Sequence, residues 1–465
     1  MIVAKFGGTS VSTKERILTI GKIVRNTLDS KPVIVVSALS GVTDLLLSIS
    51  ISPYSKTEEI IQKINVLHRN LAEELFRDSV VRENVFSYID NRLNEVRNIA
   101  RKGNFDKASL DKLASNGEIL SSFIIANALK NMGIEAEQVI ATELIVTDDN
   151  FGSAEFIEDT TKRNTKNFLL PMIKKGIVPV VTGFIGKTVS GKTTTLGRGG
   201  SDYSASIIGF CLDAKEIQIW TDVDGIHSAD PRLVENTKIL KTVSYREASE
   251  LATFGAKVLH PRTIRPAVKN GIPVHILNSF NIKSLGSLIM DSPEYSNPIT
   301  AISSKNKITL VNIYSTDMLL QKGFLARVFQ IFANKNISID LVSVSEVSVS
   351  LTLDNDEHLD EVLAELSKFA SVTTTKKLGI VSLVGEGIVT SSSIIKLVFD
   401  ILDKEKILVK MVSLGATNIN VSLVIQQDQI EHAVKVLHNQ LLLKLFNNQY
   451  NGSQRISNFA VGGIN

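Results

Sequence analysis

Apolar residues follow two rhythms along this chain, and the change between them marks its elements. Met1-Ile2-Val3-Ala4 and Val33-Ile34-Val35-Val36 are short continuous apolar runs, the pattern of strands buried on both faces of a parallel sheet. Thr13 to Leu28, between them, has helical spacing, so the chain opens as strand, helix, strand. Lys56 to Gly103 is charged and helical in pattern and predicts a long helical excursion with a solvated face. A helix is expected over Asp111 to Met132, and strands over Ala136 to Ile140, Gly176 to Phe184 and Glu216 to Trp220. Alternation of this kind to about residue 280 predicts an α/β domain with a largely parallel central sheet.

Beyond Pro298 the plan changes to an internal repeat of strand, helix, strand, strand. The first copy runs through Ile308 to Ile313, a helix at Gly323 to Phe329 packed by Phe324, Val328 and Ile331, then Ile337 to Val342 and Val347 to Leu353. The second runs through Gly379 to Val384, a helix near Ile394 to Lys404, Val409 to Ser413 and Ile419 to Val424. Arg455 to Val461 is expected to return as a strand completing the first copy.

Composition narrows the function classes. The 465 residues suffice for roughly three domains. Net charge is +3, from 51 basic and 48 acidic residues interspersed, which leaves no footprint for nucleic acid or an anionic membrane. Cys211 is the single cysteine, so neither an internal disulfide nor a cysteine-rich zinc site is expected. With no apolar run near the ~20 residues of a membrane span, and a strand-like start in place of a signal peptide, a cytoplasmic protein is expected.

Candidate chemistry collects at the predicted strand ends. Lys5-Phe6-Gly7-Gly8-Thr9 places a cation and a glycine turn after the first strand, where backbone N–H groups can approach an anion. A strand followed by a tight turn with one exposed lysine accounts for the same residues. Gly186 to Thr193 fits the phosphate-loop pattern at every position, yet its sequel, Thr194-Thr195-Leu196-Gly197-Arg198-Gly199-Gly200, opposes the helix that such a loop needs. A hairpin turning at Ser190-Gly191 is expected there. Gly197 to Asp202 then leads into a helix that Ser201 or Asp202 can cap, either as an anion site with Arg198 as a planar fork or as a flexible loop before a capped helix. Trp220-Thr221-Asp222-Val223-Asp224-Gly225-Ile226-His227, with Arg232 behind it, is a strand running into a polar turn, and Phe254-Gly255-Ala256-Lys257-Val258-Leu259-His260-Pro261 offers another cation near an apolar element, where a solvated Lys257 and a helix-end packing His260 account for the same residues.

Taken in order, Lys5 to Val11, Thr194 to Asp202, Trp220 to Val223 and Phe254 to Pro261 resemble the signatures of the aspartate kinases of the amino-acid kinase family. The resemblance implies a catalytic domain over 1–295 that transfers the γ-phosphoryl group of ATP to the side-chain carboxylate of L-aspartate. It implies that Lys5 stabilises the moving phosphoryl group, with Asp202 orienting Lys5 or assisting the transfer. Ser37, Thr43, Glu118, Arg198, Gly199, Gly200 and Ser201 would receive the substrate, Glu118 at its ammonium and Arg198 at a carboxylate. Lys5, Phe6, Gly7, Gly8, Thr221, Asp222, His227, Arg232, Lys257 and Val258 would receive ATP. Mg²⁺ is expected to be held mainly by the nucleotide, with no metal-ligating residues in the protein. His227 stands where the family commonly has tyrosine, and Asp224 where it has proline.

The two C-terminal repeats resemble ACT domains, ferredoxin-like α+β modules, over 300–378 (which 453–465 is expected to complete) and 379–452. By the same resemblance Met318, Gly323, Phe324, Leu325, Asp340, Ser345 and Glu346 would bind an effector. Their context is closest to lysine-sensitive forms, and a homodimer or higher homo-oligomer through the ACT domains is implied. Gly385-Glu386-Gly387 lacks the third glycine of a dinucleotide fingerprint, so no fused homoserine dehydrogenase is expected. A kinase of the same fold acting on glutamate, acetylglutamate, carbamate or a nucleotide, and a non-catalytic amino-acid sensor, are the competing functions. The paired repeats oppose the first, and intact Lys5, Glu118, Arg198, Asp202 and Lys257 oppose the second.

Overall fold

The computed structural model describes residues 1–254, 259–293, 298–319, 322–389, 392–415 and 418–442. They divide into two compact units, one from the described residues of 1–226, 241–245 and 258–293, the other from those of 227–240, 246–257 and 294–465. Lys257, Val258 and the return strand expected at Arg455 to Val461 lie outside the described residues.

In the first unit an eight-stranded sheet runs in the order Ala136–Val139, Val178–Thr182, Pro32–Val36, Ile2–Phe6, Glu216–Thr221, Val274–Asn278, Ser287–Met290, Thr242–Ser244. Every pairing is parallel except that of Val274–Asn278 with Ser287–Met290. Ile2–Phe6, Pro32–Val36 and Val178–Thr182 are buried along their whole length, which is why they carry no polar alternation. The opening helix spans Lys14–Thr27 and is capped by Thr13, whose side chain accepts from Arg16 N.

The helical excursion forms as two helices, and one expected helix is broken. The excursion divides into Tyr54–Leu75 and Ser79–Lys102 because Asp78 caps the second, accepting from Val80 N at 2.8 Å. Their facing stripes, including Ile61, Ile64, Ile89 and Leu93, join the core of the sheet. The stretch expected as one helix from Asp111 divides at Ser115 into Lys107–Ala114 and Asn116–Asn131. Gly186 to Thr193 forms a hairpin, Ile185–Thr188 against Thr193–Thr195, with Gly191 at φ 87° in its turn.

In the second unit one six-stranded sheet joins both repeats, in the order Val342–Val344, Ser348–Leu353, Ala301–Tyr314, Ser371–Val384, Asn420–Gln426, Met411–Leu414. Its long strand Ala301–Tyr314 serves two cores. Ile302 packs with Val381, Leu383, Val398 and Leu423, whereas Val311 and Ile313 pack with Phe324, Val328, Val349 and Val362. The strand expected at Ile337 to Val342 forms only from Val342 to Val344.

Candidate active site

Parallel strands deliver their polar successors to one end of the sheet, and the candidate residues gather there. Gly7 N donates to Trp220 O of the neighbouring strand, and Ser37 N donates to Phe6 O, so the three turns after Phe6, Val36 and Thr221 are tied edge to edge. Thr221 O accepts from both Ser279 N and Ser279 Oγ, and Ser279 Oγ lies 2.8 Å from Ser10 Oγ, which joins the fourth strand end to the first.

Lys5 points from the first strand toward Asp202, with Nζ 2.6 Å from Oδ1 and both side chains largely buried. Asp202 lies in the first turn of the helix Gly200–Leu212. The cap expected of Ser201 or Asp202 does not form, because the position before the helix is Gly199, left-handed at φ 69°, and the Asp202 carboxylate is turned to Lys5. A side chain on Gly199 would also lie 2.8 Å from Thr263 Cγ2. At Gly8 a Cβ would lie 3.0 Å from Ala38 O, so the first glycine turn packs directly against the turn after the second strand.

A cavity of about 730 Å³ opens beside this ion pair. Lys5, Gly8, Ser37, Thr43, Glu118, Arg198, Gly199, Gly200, Ser201 and Asp202 all line it, bringing together segments that lie far apart in the sequence. Glu118 is 3% exposed, and burial pushes its carboxyl up to about 8 against a pull from the Ala38 and Glu118 backbone. Arg198 is exposed at the cavity. The cavity therefore offers a cation beside a glycine turn, a buried acid and a second cation, a set suited to an amino acid next to a phosphate chain.

Other expected residues stand elsewhere. The Phe6 ring is fully buried and stacked on Trp220 at 5.9 Å, which leaves only its backbone for a ligand. Thr221 and Asp222 follow the strand Glu216–Thr221 in the first unit, with Thr221 Oγ1 donating to Asp222 Oδ1 at 3.2 Å. In the second unit His227 Nδ1 lies 2.9 Å from Thr237 Oγ1, and Arg232 is committed to Asp230, Nη2 to Oδ2 at 2.6 Å, although its side chain is exposed.

Asp111 was not among the residues expected at the site. It is 5% exposed, lines the cavity, and accepts from Gly152 N at 2.9 Å, Thr195 N at 2.8 Å and Thr195 Oγ1 at 2.8 Å. Burial pushes its carboxyl up while those donors pull it back. Its only local signal is an acid on the apolar side of a short helix.

The effector candidates divide between the two ends of one ladder. Met318 in the turn Thr316–Leu319, Gly323 at φ 88°, Phe324 and Leu325 lie at the end where Ser315 N donates to Val347 O, and Ser345 and Glu346 form the adjoining turn, Ser345 Oγ 2.7 Å from Ser348 Oγ. Asp340 is at the other end, where its N donates to Thr352 O and Lys305 Nζ reaches its carboxylate at 2.7 Å and that of Asp354 at 2.8 Å.

The amino acid kinase family model matches residues 1–278, and an ACT domain model matches 381–441. Aspartokinase 3, chloroplastic, of Arabidopsis thaliana is 38% identical over 454 residues, which cover 94% of this chain and 80% of that protein. Lysine-sensitive aspartokinase 3 of Escherichia coli is 35% identical over 453 residues, covering 95% and 99%. The chain belongs to the aspartokinase family. Among solved structures of aspartokinases, that of E. coli aspartokinase III in complex with aspartate and ADP, in the R-state, has a TM-score of 0.83 at 34% identity, covering 95% of this chain and 100% of that one. The same aspartokinase with lysine and aspartate, in the T-state, has a TM-score of 0.80 at 34% identity, covering 95% and 99%.

Proposed function

We infer that this chain is an ATP-dependent aspartate kinase, making 4-phospho-L-aspartate as the first step of aspartate-family amino-acid biosynthesis. The observation that carries the reading is the Lys5–Asp202 ion pair set between a glycine turn and a cavity with a buried acid and an arginine. An aspartate bound there brings its own nucleophile, since a carboxyl of ordinary pKa ~3.9 is ionised at neutral pH. One carboxylate oxygen forms a bond to the γ-phosphorus as the bond from that phosphorus to the β,γ-bridging oxygen breaks, and ADP leaves without any proton transfer. The work left to the protein is to position two anions and to neutralise charge on the moving group.

In this reading Lys5 meets the transferring phosphoryl oxygens, and Asp202 keeps its ammonium aimed at them. The Gly7-Gly8 turn contacts the phosphates, with Thr221 and Asp222 of the same unit receiving the rest of the nucleotide. Glu118 holds the substrate ammonium, Arg198 its α-carboxylate, and Ser37, Thr43 and Gly199 to Ser201 complete the pocket. Among the described residues no three His, Cys, Asp or Glu side chains come together as a metal cage. Mg²⁺ is proposed as the counter-ion of the nucleotide's phosphates, where it would supply further charge neutralisation.

The kinase domain is taken as 1–295 and the ACT modules as 300–378 and 379–452, with the strand Ala301–Tyr314 shared between the modules. Lysine is the effector proposed for the turns around Met318, Phe324 and Ser345, and E. coli aspartokinase III solved with lysine supports that choice. A homodimer is proposed through the ACT region, supported by the edge strand Val342–Val344, whose valines are 37% and 49% exposed.

Coupled ADP release measured with aspartate, glutamate, acetylglutamate and carbamate tests the reading. Turnover with aspartate alone is expected, and turnover with glutamate but not aspartate overturns it. Millimolar lysine, alone or with other aspartate-derived amino acids, is expected to lower the rate, and an unchanged rate removes the effector assignment.

A further inference from the structure

The turn Gly197 to Ser201 carries Arg198 into the cavity, yet little inside it fixes its shape. Gly197 and Gly199 sit at φ 77° and 69°, and the internal bond is Gly200 N to Gly197 O. Its conformation is imposed by neighbours. One is the segment 152–155, whose Ala154 N donates to Thr195 O and whose Gly152 O and Ser153 Oγ would lie 3.1 and 3.2 Å from a Cβ on Gly197. The other is Tyr203, whose N donates to Gly199 O and whose hydroxyl donates to Glu155 Oε2 at 2.6 Å.

Both neighbours converge on Arg262, which does not line the cavity. Its Nε donates to Glu155 Oε1 at 3.0 Å, Nη1 to Ser153 Oγ at 2.5 Å, and Nη2 to Ser153 O at 3.0 Å and Ala154 O at 2.9 Å. The guanidinium lies 5.4 Å from the centre of the Tyr203 ring, and its side chain is 17% exposed. A partly buried cation with every nitrogen on one segment is costly unless hydrogen-bonded, and only a planar fork reaches these acceptors at once. The next residue, Thr263, abuts Gly199.

We propose that Arg262 is a positioning residue that holds the Gly197–Ser201 turn in its substrate-receiving shape, acting through Ser153 and through Glu155 and Tyr203. The inference rests on the aspartate kinase reading for its substrate, and on contacts within one unit for its geometry. Losing the fork frees the turn that presents Arg198 and Ser201, so the aspartate side of the reaction suffers and the nucleotide side does not.

The test compares wild type with Arg262→Gln, Arg262→Lys, Glu155→Gln and the Arg262→Gln/Glu155→Gln pair. Steady-state constants for aspartate and ATP, melting temperature, and amide exchange of 197–203 are measured for each. Arg262→Gln is expected to raise the KM for aspartate by about tenfold or more and leave that for ATP within about twofold. Lys is expected not to rescue it, the pair is expected to be less than additive, and exchange of 197–203 is expected to rise. An unchanged aspartate KM with unchanged exchange overturns the proposal, as does an equal loss on both substrates with a lowered melting temperature. A wild-type protein that does not turn over aspartate defeats the functional reading instead, and exchange in the unliganded variants then still decides the role of Arg262.

Discussion

Lys5 Nζ lies 2.6 Å from Asp202 Oδ1, joining the C-terminal end of the first strand to the first turn of a helix almost two hundred residues later. Lys5→Ala removes the cation placed for the phosphoryl group and is expected to lower kcat by about 10³-fold, with the fold retained by circular dichroism. Asp202→Asn keeps the shape and removes the charge that aims the ammonium, so a smaller loss, about 10²-fold, is expected. Single-turnover measurement of phosphoryl transfer checks both, and full activity of Lys5→Ala removes its assigned role.

Aspartate affinity is expected to depend on the ionisation of Glu118. Burial pushes this carboxyl up to about 8, so at pH 7 the substrate-free side chain is mostly protonated. An ammonium ion binds the ionised form, so affinity falls by up to about tenfold for each pH unit below 8. Titration calorimetry between pH 6.5 and 8.5 reads this slope, together with the proton released on binding. Glu118→Gln is expected to bind more weakly at pH 8.5 and to lose the slope.

Asp111 is expected to matter for the stability of the cavity wall. Replacing it by Ala leaves the Gly152 and Thr195 N–H groups and the Thr195 hydroxyl without their acceptor in a buried wall, at a cost of roughly 2–4 kcal/mol. Asp111→Asn keeps part of the acceptor and should lose less. Urea unfolding compares the two, and equal stability of all three proteins contradicts the assignment.

His68, fully buried in the helix Tyr54–Leu75, should set a low-pH limit on the fold. Its Nδ1–H donates to Ile64 O at 2.7 Å, and burial lowers its pKa to about 4. The unfolded chain binds this proton more readily, so the neutral ring's contribution is complete above about pH 6.5 and is lost as pH falls toward 4. The loss amounts to as much as ~3 kcal/mol. His68→Leu is expected to flatten this part of the stability profile, which thermal melts at pH 7 and pH 4.5 resolve.

Much of the fold was legible because buried parallel strands such as Pro32–Val36 have no polar face and the helices between them do. The glycine turns were legible as chemistry for the same local reason. Where helices break depended on a single capping residue, Asp78, set against a long favourable pattern. Local pattern alone offered Asp202 as a helix cap, and only the family resemblance set it beside Lys5, almost two hundred residues earlier, where its carboxylate lies. Asp111, Glu155 and Arg262 were invisible for a related reason. Each has an ordinary local setting, and its meaning lies in hydrogen bonds to segments that only the folded chain brings near.

The strand Ala301–Tyr314 has a consequence for anyone who would rebuild the C-terminal half. Its first residues pair with Ile380 to Val384 and its last with Ser371 to Thr375, so one uninterrupted backbone is a structural member of both repeats. Neither repeat is a cassette. Exchanging one of them between relatives, to import a different effector response, would graft half a strand onto a foreign core, and a working chimera has to carry the whole six-stranded sheet across as one part.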